Sequence, residues 1–299
     1  MYIVTHHDAD GILCAATLMK AIPRKFWVYF SSPNRLFSTL CSIALNSEGK
    51  DTVYICDISG TKKTLGCAAL FDMVFWLDHH IWEDLRAPEN VTLVVDAESK
   101  SAARVVGNYT GFGEFGDIAD EIDTNNVVTE VAERFRAITF GIKMLYPRNE
   151  VYRALYDLTA GIAEKGIGVI YRPIFDELLA KYTVVMEASV GKVLQSKKDF
   201  IFGNRKVSII SMPESLPIAP LFNRIENSGI DVLVFVLQQM DENNGPRTKL
   251  EFRTQTGTDV LKIARAFGGG GHMAASGATV KGVLSTEQIL ERIRGTYGW

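Results

Sequence analysis

The chain has 299 residues, of which 47% are hydrophobic and 22% are charged, and its formal net charge at pH 7 is −3. This length favours two domains with substantial cores, and the slight negative charge excludes a broad basic surface for nucleic acid. The longest apolar runs, such as residues 232–237, have the length of a strand, which excludes a membrane-spanning helix. Because the first apolar run leads directly into histidines and aspartates, we expect no signal peptide and a cytoplasmic location.

The four cysteines show no CxxC spacing and stand mostly in apolar or helical surroundings: Cys14, Cys41, Cys56 and Cys67. This usage is typical of free thiols in a reducing compartment. We therefore expect no structural disulfide.

The first 130 residues alternate short β-rich runs with helical stretches. They predict strands over residues 2–5, 27–30, 52–56, 73–77 and 91–95, and helices over residues 11–21, 65–71 and 101–109. Ser99 or Ser101 stands where it could cap the last of these helices. Continuous apolar strands between helices predict a parallel sheet covered on both faces. In such sheets, ligands bind at the carboxyl ends of the strands.

The remaining residues predict a linker helix and a second domain. Residues 118–170 are mostly helical in pattern, and residues 172–203 have the pattern of one long helix. Strands are predicted over residues 207–210, 232–238 and 249–254, and helices over residues 259–266 and 286–293. We therefore predict an α/β protein in three parts: a catalytic domain (1–171), a linker helix (172–203) and a smaller α/β domain (204–299).

Carboxylates and imidazoles follow the first, third and fourth predicted strands at one rim of the sheet: His6, His7, Asp8, Asp10, Asp57, Asp78, His79 and His80. Such ligands without thiolates favour manganese or magnesium over zinc. Two ions about 3.5–4 Å apart would activate a bridging water and hold a phosphoryl oxygen. For Asp8 or Asp10 alone, capping of the helix that begins at Gly11 is the competing interpretation. The whole set favours a metal site.

Four ordered motifs of the chain resemble the DHH phosphoesterase superfamily. They are His6-x-Asp8-x-Asp10-Gly11, a strand that ends before Asp57, Asp78-His79-His80, and Gly269-Gly270-Gly271-His272. The last motif resembles the subfamily with a DHH-associated C-terminal domain, which includes the RecJ exonuclease and nanoRNases. The resemblance spans nearly the whole chain. It implies a parallel-sheet DHH domain that a linker helix joins to a smaller substrate-binding domain.

The resemblance also implies a role for each motif residue. Two manganese ions, or magnesium in their place, would be held by His6, Asp8, Asp10, Asp57 and His79. His80 would lie beside the scissile phosphate, and Asp78 would orient a histidine, so these two residues are the catalytic candidates.

One more metal-binding aspartate is implied within residues 116–123. Asp120 fits the small-small-Asp pattern of the family best, and Asp123 is the second choice. Many relatives carry a histidine four residues before the first aspartate, where this chain has Val4, and His6 stands where others carry Asp or His. His7 is expected to be a neighbour of the ligands or a surface residue.

Four glycines, Gly268–Gly271, stand directly before His272. Their amides could approach a phosphate closely, and residues 274–277 could begin a helix whose N-terminus favours anions. The resemblance implies substrate binding by Gly269, Gly270, Gly271 and His272, and by Arg253, which matches an arginine that relatives use near the phosphate or sugar. The competing interpretations are a flexible turn for the glycines and a surface salt bridge for Arg253.

Together these features predict a phosphodiesterase or exonuclease that cuts short oligonucleotides or dinucleotides to nucleoside monophosphates. Short single-stranded RNA or DNA is favoured over long DNA, because the chain has no basic stripe and none of the extra nucleic-acid-binding domains of RecJ-type nucleases. The alternative is a phosphomonoesterase for 3′-phosphoadenosine 5′-phosphate, or a polyphosphate or pyrophosphate hydrolase. A third hypothesis, an inactive scaffold or nucleotide sensor, would require a broken ligand set. Strand polarity, the choice of RNA or DNA, and a monomer or homodimer remain open.

Overall fold

The computed structural model describes residues 1–47, 51–82, 85–241 and 245–299. The chain divides into two compact units, Met1–Tyr182 and Thr183–Trp299. Each unit contains a β-sheet and helices, which confirms the predicted α/β fold class. Among the described residues, no helix combines the length and the apolar character needed to cross a membrane.

The first unit is built around a sheet of five parallel strands. They are β1 (Tyr2–His6), β2 (Trp27–Ser31), β3 (Thr52–Cys56), β4 (Met73–Asp78) and β5 (Val91–Val95). Their order across the sheet is β2-β1-β3-β4-β5. All five predicted strands are confirmed. Their continuous apolar runs are buried because helices cover both faces of a parallel sheet.

Within the described part of the first unit, seven helices cover this sheet. They are α1 (Ala9–Ala21), α2 (Leu36–Asn46), α3 (Lys62–Ala68), α4 (Ala102–Thr110), α5 (Gly116–Asp123), α6 (Glu130–Leu145) and α7 (Val151–Lys165), followed by a 3-10 helix (Ile167–Tyr171). Helices α1 and α4–α7 form a core on one face, and α2 and α3 form a core on the other face. Helix α2 is absent from the sequence prediction, because its serines and its threonine weaken the helical pattern. Helix α3 begins earlier than predicted, because Thr61 and Thr64 form a capping box.

The linker helix is shorter than predicted. Helix α8 (Pro173–Gln195) begins at the expected place, but residues 196–203 do not continue it. Strand β6 (Lys198–Phe202) pairs antiparallel with β7 (Arg205–Met212) instead, and Gly203 turns the chain between them with a φ of 60°. A helix through residue 203 is therefore wrong, because alternating side chains and a glycine turn favour a hairpin here. The division into two units falls within α8.

The second unit contains a mixed six-stranded sheet in the order β10-β11-β9-β8-β7-β6. Its other strands and helices are β8 (Val232–Asp241), β9 (Gly245–Arg253), β10 (Gly270–Gly271), β11 (Ala275–Lys281), α9 (Ile218–Phe222), α10 (Val260–Ala266) and α11 (Thr286–Tyr297). Strands β7 and β8 are parallel, and the other pairs are antiparallel. Helices α10 and α11 pack against the sheet in one apolar core.

Candidate metal centre and substrate loop

The first motif fixes the junction between β1 and α1. Asp8 caps α1, because its Oδ1 accepts a hydrogen bond from Gly11 N at 3.1 Å. A Cβ atom at Gly11 would lie 2.2 Å from His6 O, so only glycine lets the helix start pass this close to the strand end. The second oxygen of Asp8 accepts a hydrogen bond of 2.6 Å from His6 Nδ1. The capping interpretation is therefore confirmed for Asp8, and it coexists with a contact to His6.

Asp10 is held in place by the start of α4. Its two carboxylate oxygens accept hydrogen bonds from Ala102 N at 2.6 Å and Ala103 N at 2.8 Å. Of the two candidate caps, Ser101 is the residue that caps this helix. Burial, reinforced by the charges of Asp123 and Asp8, raises the pKa of Asp10 well above its usual range. Asp10 is therefore a buried acid among other acids.

Asp57 lies between the other candidate ligands. It directly follows β3, is buried, and has a left-handed φ of 57°. Its Oδ2 lies 3.7 Å from His6 Nδ1, and its Oδ1 lies 3.8 Å from His79 Nε2. Among the described residues, Oδ2 has no hydrogen-bond partner. Burial, together with the charges of Asp8 and Asp10, raises the pKa of Asp57 well above its usual range. Backbone strain at a buried acid is a feature that clusters at functional sites.

His79 directs one ring nitrogen at the acids. Its Nδ1 donates a hydrogen bond of 3.3 Å to the backbone carbonyl of Ser99, which assigns the proton to Nδ1. Its Nε2 lies 3.8 Å from Asp10 Oδ2 and 3.5 Å from Asp123 Oδ2. Burial, followed by the charge of His80, lowers the pKa of His79. A neutral imidazole that a carbonyl orients in this way is typical of a metal ligand.

The predicted ligands form two sets that share one residue. The ligand atoms within each set lie within 4.8 Å of one another, and the sets are His6, Asp8 and Asp57, and Asp10, Asp57 and His79. The structure thus brings together all five ligands that the first three motifs imply. Asp57 belongs to both sets, which is the position expected of a residue between two ions.

The structure corrects the expectation that Asp120 faces this cluster. Asp120 accepts hydrogen bonds from Ser101 Oγ at 2.6 Å and from Arg104 Nη2 at 2.6 Å, so its carboxylate is occupied by α4. Asp123, one helical turn further along α5, is the residue that lies beside His79. Burial, reinforced by the charge of Asp8, raises the pKa of Asp123 to about 7. The small-small-Asp pattern could not separate the two, because their partners lie on other elements.

Asp78 orients His80, as the sequence implied. Asp78 is fully buried and accepts hydrogen bonds of 2.7 Å from His80 Nδ1 and 2.7 Å from Trp82 Nε1. Burial alone would lower the pKa of His80, but the hydrogen bond and the charge of Asp78 raise it to about 9. Nothing in the sequence motifs indicated Trp82, whose ring also packs edge-on against Trp76. His7 packs between His6 and Tyr152, with ring centroids 4.7 and 6.2 Å away.

The glycine loop of the second unit is a tight hairpin. Strand β10 pairs with β11, and His272 N donates a hydrogen bond of 2.8 Å to Ala275 O across the turn. A helix beginning near residue 274 is therefore wrong, because residues 275–281 form a strand of the sheet. A Cβ atom at Gly269 would lie 2.0 Å from Gly277 O, so the close approach of two chains requires this glycine.

Two of the four amides of the glycine loop already donate hydrogen bonds within the second unit. Gly268 N donates to Arg265 O at 2.9 Å, and Gly269 N donates to Ala264 O at 2.8 Å. These two bonds close the end of α10. The expectation of four open amides is therefore wrong for the first two glycines.

Arg253 lies beside this hairpin. It ends β9, pairs in register with Ala275 and donates a hydrogen bond of 2.8 Å to Phe252 O. Its Nη1 lies 3.6 Å from Glu251 Oε2, so the salt-bridge interpretation describes a real contact. Burial lowers the pKa of Arg253. The structure thus places Arg253 and the glycine loop together, and their binding of substrate stays a prediction.

The chain is similar to known proteins over both units. Residues 214–297 match the family of the DHHA1 domain. No curated protein sequence matches the chain. Among solved structures, the pGpG-specific phosphodiesterase PggH of Vibrio cholerae is similar over 99% of this chain and 97% of its own, with 16% identity and a TM-score of 0.58.

Two further structures have the same fold. RecJ of Thermus thermophilus, in complex with Mn2+, is similar over 100% of this chain and 52% of its own, with 15% identity and a TM-score of 0.57. An exopolyphosphatase-related protein of Bacteroides fragilis is similar over 99% of this chain and 91% of its own, with 14% identity and a TM-score of 0.52. The domain match identifies residues 214–297 as a DHHA1 domain, and the chain as a whole shares its fold with these solved structures.

Proposed function

We propose that this chain is a two-metal phosphodiesterase that hydrolyses short oligonucleotides or linear dinucleotides to nucleoside monophosphates. The observation that carries the proposal is the pair of ligand sets that share Asp57. The similar proteins support it, since they include a pGpG-specific phosphodiesterase and a Mn2+ complex of RecJ. The ligand sets are intact, which argues against an inactive scaffold.

The residues of the cluster fit divalent cations. Asp57 Oδ2 is buried without a hydrogen-bond partner among the described residues. Asp10 and Asp57 have raised pKa values because they are buried near other carboxylates. Such a cluster is unfavourable by itself, since desolvation and repulsion both penalise the charged forms. A cation would relieve both penalties, and oxygen-rich sites with imidazole suit manganese or magnesium.

We assign one ion to His6, Asp8 and Asp57, and a second ion to Asp10, Asp57 and His79. Asp123 takes the role that the family pattern implied for Asp120, because it lies beside His79. When bound, the ions would lower the pKa of an attacking water and stabilise charge on the phosphoryl oxygens. The chain itself would orient the ions through Asp57.

His80 would act on the phosphate as a proton donor. Asp78 accepts a hydrogen bond from its Nδ1, which fixes the plane of the ring. The pKa of about 9 means that the ring carries its proton near neutral pH. A positioned imidazolium stabilises charge that develops on a phosphoryl or leaving-group oxygen.

The second unit would bind the nucleotide. Arg253 and His272 lie at the same end of the β9–β11 pair, and a guanidinium is well suited to phosphate oxygens. We assign both residues, with Gly269, Gly270 and Gly271, to substrate binding.

A time course of cleavage tests this function. End-labelled RNA and DNA of two to seven nucleotides are incubated with the full chain and manganese, beside 3′-phosphoadenosine 5′-phosphate and polyphosphate. We expect nucleoside monophosphates from the oligonucleotides. Release of inorganic phosphate alone would instead support the monoesterase or polyphosphatase alternative, for which the Bacteroides fragilis protein is a structural precedent.

A further inference from the structure

Two cysteines face each other where α2 contacts α3 on one side of the first sheet. Cys41 Sγ of α2 lies 3.5 Å from Cys67 Sγ of α3. One turn earlier on both helices, Lys63 Nζ lies 3.8 Å from the centroid of the Phe37 ring. The two contacts are four residues apart on each helix, so α2 and α3 run side by side in the same direction. The sulfur pair is therefore part of a regular contact between two helices.

The two thiols differ in their access to solvent. Cys41 is partly exposed, whereas Cys67 is buried. Burial, followed by the hydrogen bond with Cys41, raises the pKa of the Cys67 thiol to about 12. Because the thiolate is the reactive form of cysteine, a small oxidant from solvent reacts with Cys41 first. Cys67 then lies behind it as a second thiol within reach.

The other two cysteines, Cys14 and Cys56, show what core packing alone produces. Both are fully buried among the apolar residues of the first unit. Burial, followed by a hydrogen bond with Cys56, raises the pKa of the Cys14 thiol well above its usual range. Thiols enclosed in this way behave as small, inert apolar side chains. Cys41 differs from them, since it is partly exposed and has a buried thiol directly beside it.

We propose that Cys41 and Cys67 are a redox-active pair that hydrogen peroxide converts into a disulfide between α2 and α3. The Cys41 thiolate attacks one oxygen of the peroxide, and the O–O bond breaks. Cys41 becomes a sulfenic acid, and the other oxygen leaves as hydroxide, which takes up the proton released by the thiol. The Cys67 sulfur then attacks the Cys41 sulfur, and the departing hydroxide leaves as water with the Cys67 proton. Two thiols are oxidised, and one peroxide is reduced to two waters.

The geometry allows this disulfide with a small rearrangement. An S–S bond is about 2.05 Å long, so the two sulfurs need to approach by about 1.5 Å. Side-chain rotations and small helix shifts cover such a distance. The bond would close a loop that contains β3 and Asp57, because both lie between the two cysteines in the chain. Oxidation would thus fasten the segment that carries the residue shared by both ligand sets. The inference stands apart from the proposed function, because it requires neither metal nor substrate.

Mapping of disulfides in the oxidised full chain tests the inference. The reduced chain is treated with hydrogen peroxide, the remaining thiols are alkylated in denaturant, and the digest is analysed by mass spectrometry. We expect a cross-linked peptide that joins Cys41 to Cys67 and has lost two hydrogen atoms, with Cys14 and Cys56 both alkylated. Dithiothreitol should return all four cysteines to the free thiols seen in the structure. The absence of this cross-link, or prior oxidation of Cys14 or Cys56, overturns the inference.

Single variants test the order of the two steps. Cys67→Ser removes the second thiol, so the sulfenic acid on Cys41 should persist and react with dimedone. Cys41→Ser leaves the buried Cys67, which should give no dimedone adduct. The control Cys14→Ala should form the disulfide as the wild-type chain does. A dimedone adduct on Cys67 and none on Cys41 overturns the inference. The wild-type mapping needs no variant, so it decides the outcome even where a variant fails to fold.

Discussion

The metal centre and the glycine hairpin differ in what holds their residues in place. In the hairpin, Gly269 is required by the close approach to Gly277 O, and the amide of Gly269 closes α10. The fold alone therefore explains much of that motif. In the candidate metal centre, Asp57 has a left-handed backbone, is buried and lies among other acids, and its Oδ2 has no hydrogen-bond partner among the described residues. A motif that the fold does not explain is the stronger sign of function.

The largest expected effect comes from the residue shared by both ligand sets. Asp57→Asn should reduce turnover by more than about a hundredfold. Loss of a residue that only supports a metal ligand costs up to about a hundredfold, and Asp57 is itself a predicted ligand. Asparagine tolerates a left-handed backbone, so the fold should persist. Metal analysis should show less bound manganese, and EDTA should abolish the wild-type activity until manganese is restored. Full metal occupancy with a near-normal rate would contradict the shared site.

The same variant should show opposite effects on stability with and without metal. In the metal-free folded chain, the pKa of Asp57 is raised above its unfolded value, so its contribution to stability falls as pH rises above that unfolded value. Asp57→Asn should therefore have the higher Tm in EDTA at pH 8. With manganese at about a hundred times its Kd, the wild-type chain should gain about 2.7 kcal/mol and become the more stable protein. Thermal unfolding of both proteins, with and without manganese, measures this reversal.

Asp123 and Asp120 provide a matched pair on one helix. Asp123→Asn should lower manganese content and activity, because Asp123 lies beside His79. Asp120→Asn should keep the metal but lower the free energy of unfolding by about 1–3 kcal/mol, since it weakens a half-buried pair with Arg104. Metal analysis and urea unfolding distinguish the two outcomes. If Asp120→Asn loses manganese and Asp123→Asn does not, the assignment from the structure is wrong.

Substitutions in the second unit should weaken substrate binding and leave the manganese content unchanged. Arg253→Ala and His272→Ala are expected to raise KM for dinucleotides about tenfold or more, because a charged hydrogen bond to the phosphate is lost. Manganese content should match that of the wild-type chain. Hydrolysis of an aryl phosphodiester, which offers no nucleotide, should decline less. Equal losses on both substrates would place His272 in the chemical step.

The sequence predicted the two regions with unequal success. The five strands of the first sheet and the residues at their carboxyl ends were predictable, because buried parallel strands leave continuous apolar runs. The choice between Asp120 and Asp123 was not predictable, because the partners of Asp120, Ser101 and Arg104, lie at the start of α4. The strand after the glycines was also missed, since small residues carry little pattern and only pairing with β9 makes residues 275–281 a strand.

The smallest expected effects come from substitutions of two neighbouring glycines, Gly269 and Gly270. Their comparison distinguishes a packing role of the hairpin from a role in substrate binding. A Cβ atom at Gly269 would clash with the backbone at Gly277, so Gly269→Ala should lower the free energy of unfolding of the second unit by about 1–3 kcal/mol. A Cβ atom at Gly270 would meet no atom within 4 Å, and Gly270→Ala should leave stability nearly unchanged. Urea unfolding measures both. If Gly270→Ala also raises KM for dinucleotides, substrate approaches that backbone closely, and the loop binds as well as turns. If Gly270→Ala has an unchanged KM for dinucleotides and His272→Ala binds them normally, the hairpin is only a structural turn. The candidate metal centre would then be the one functional region of the two compared.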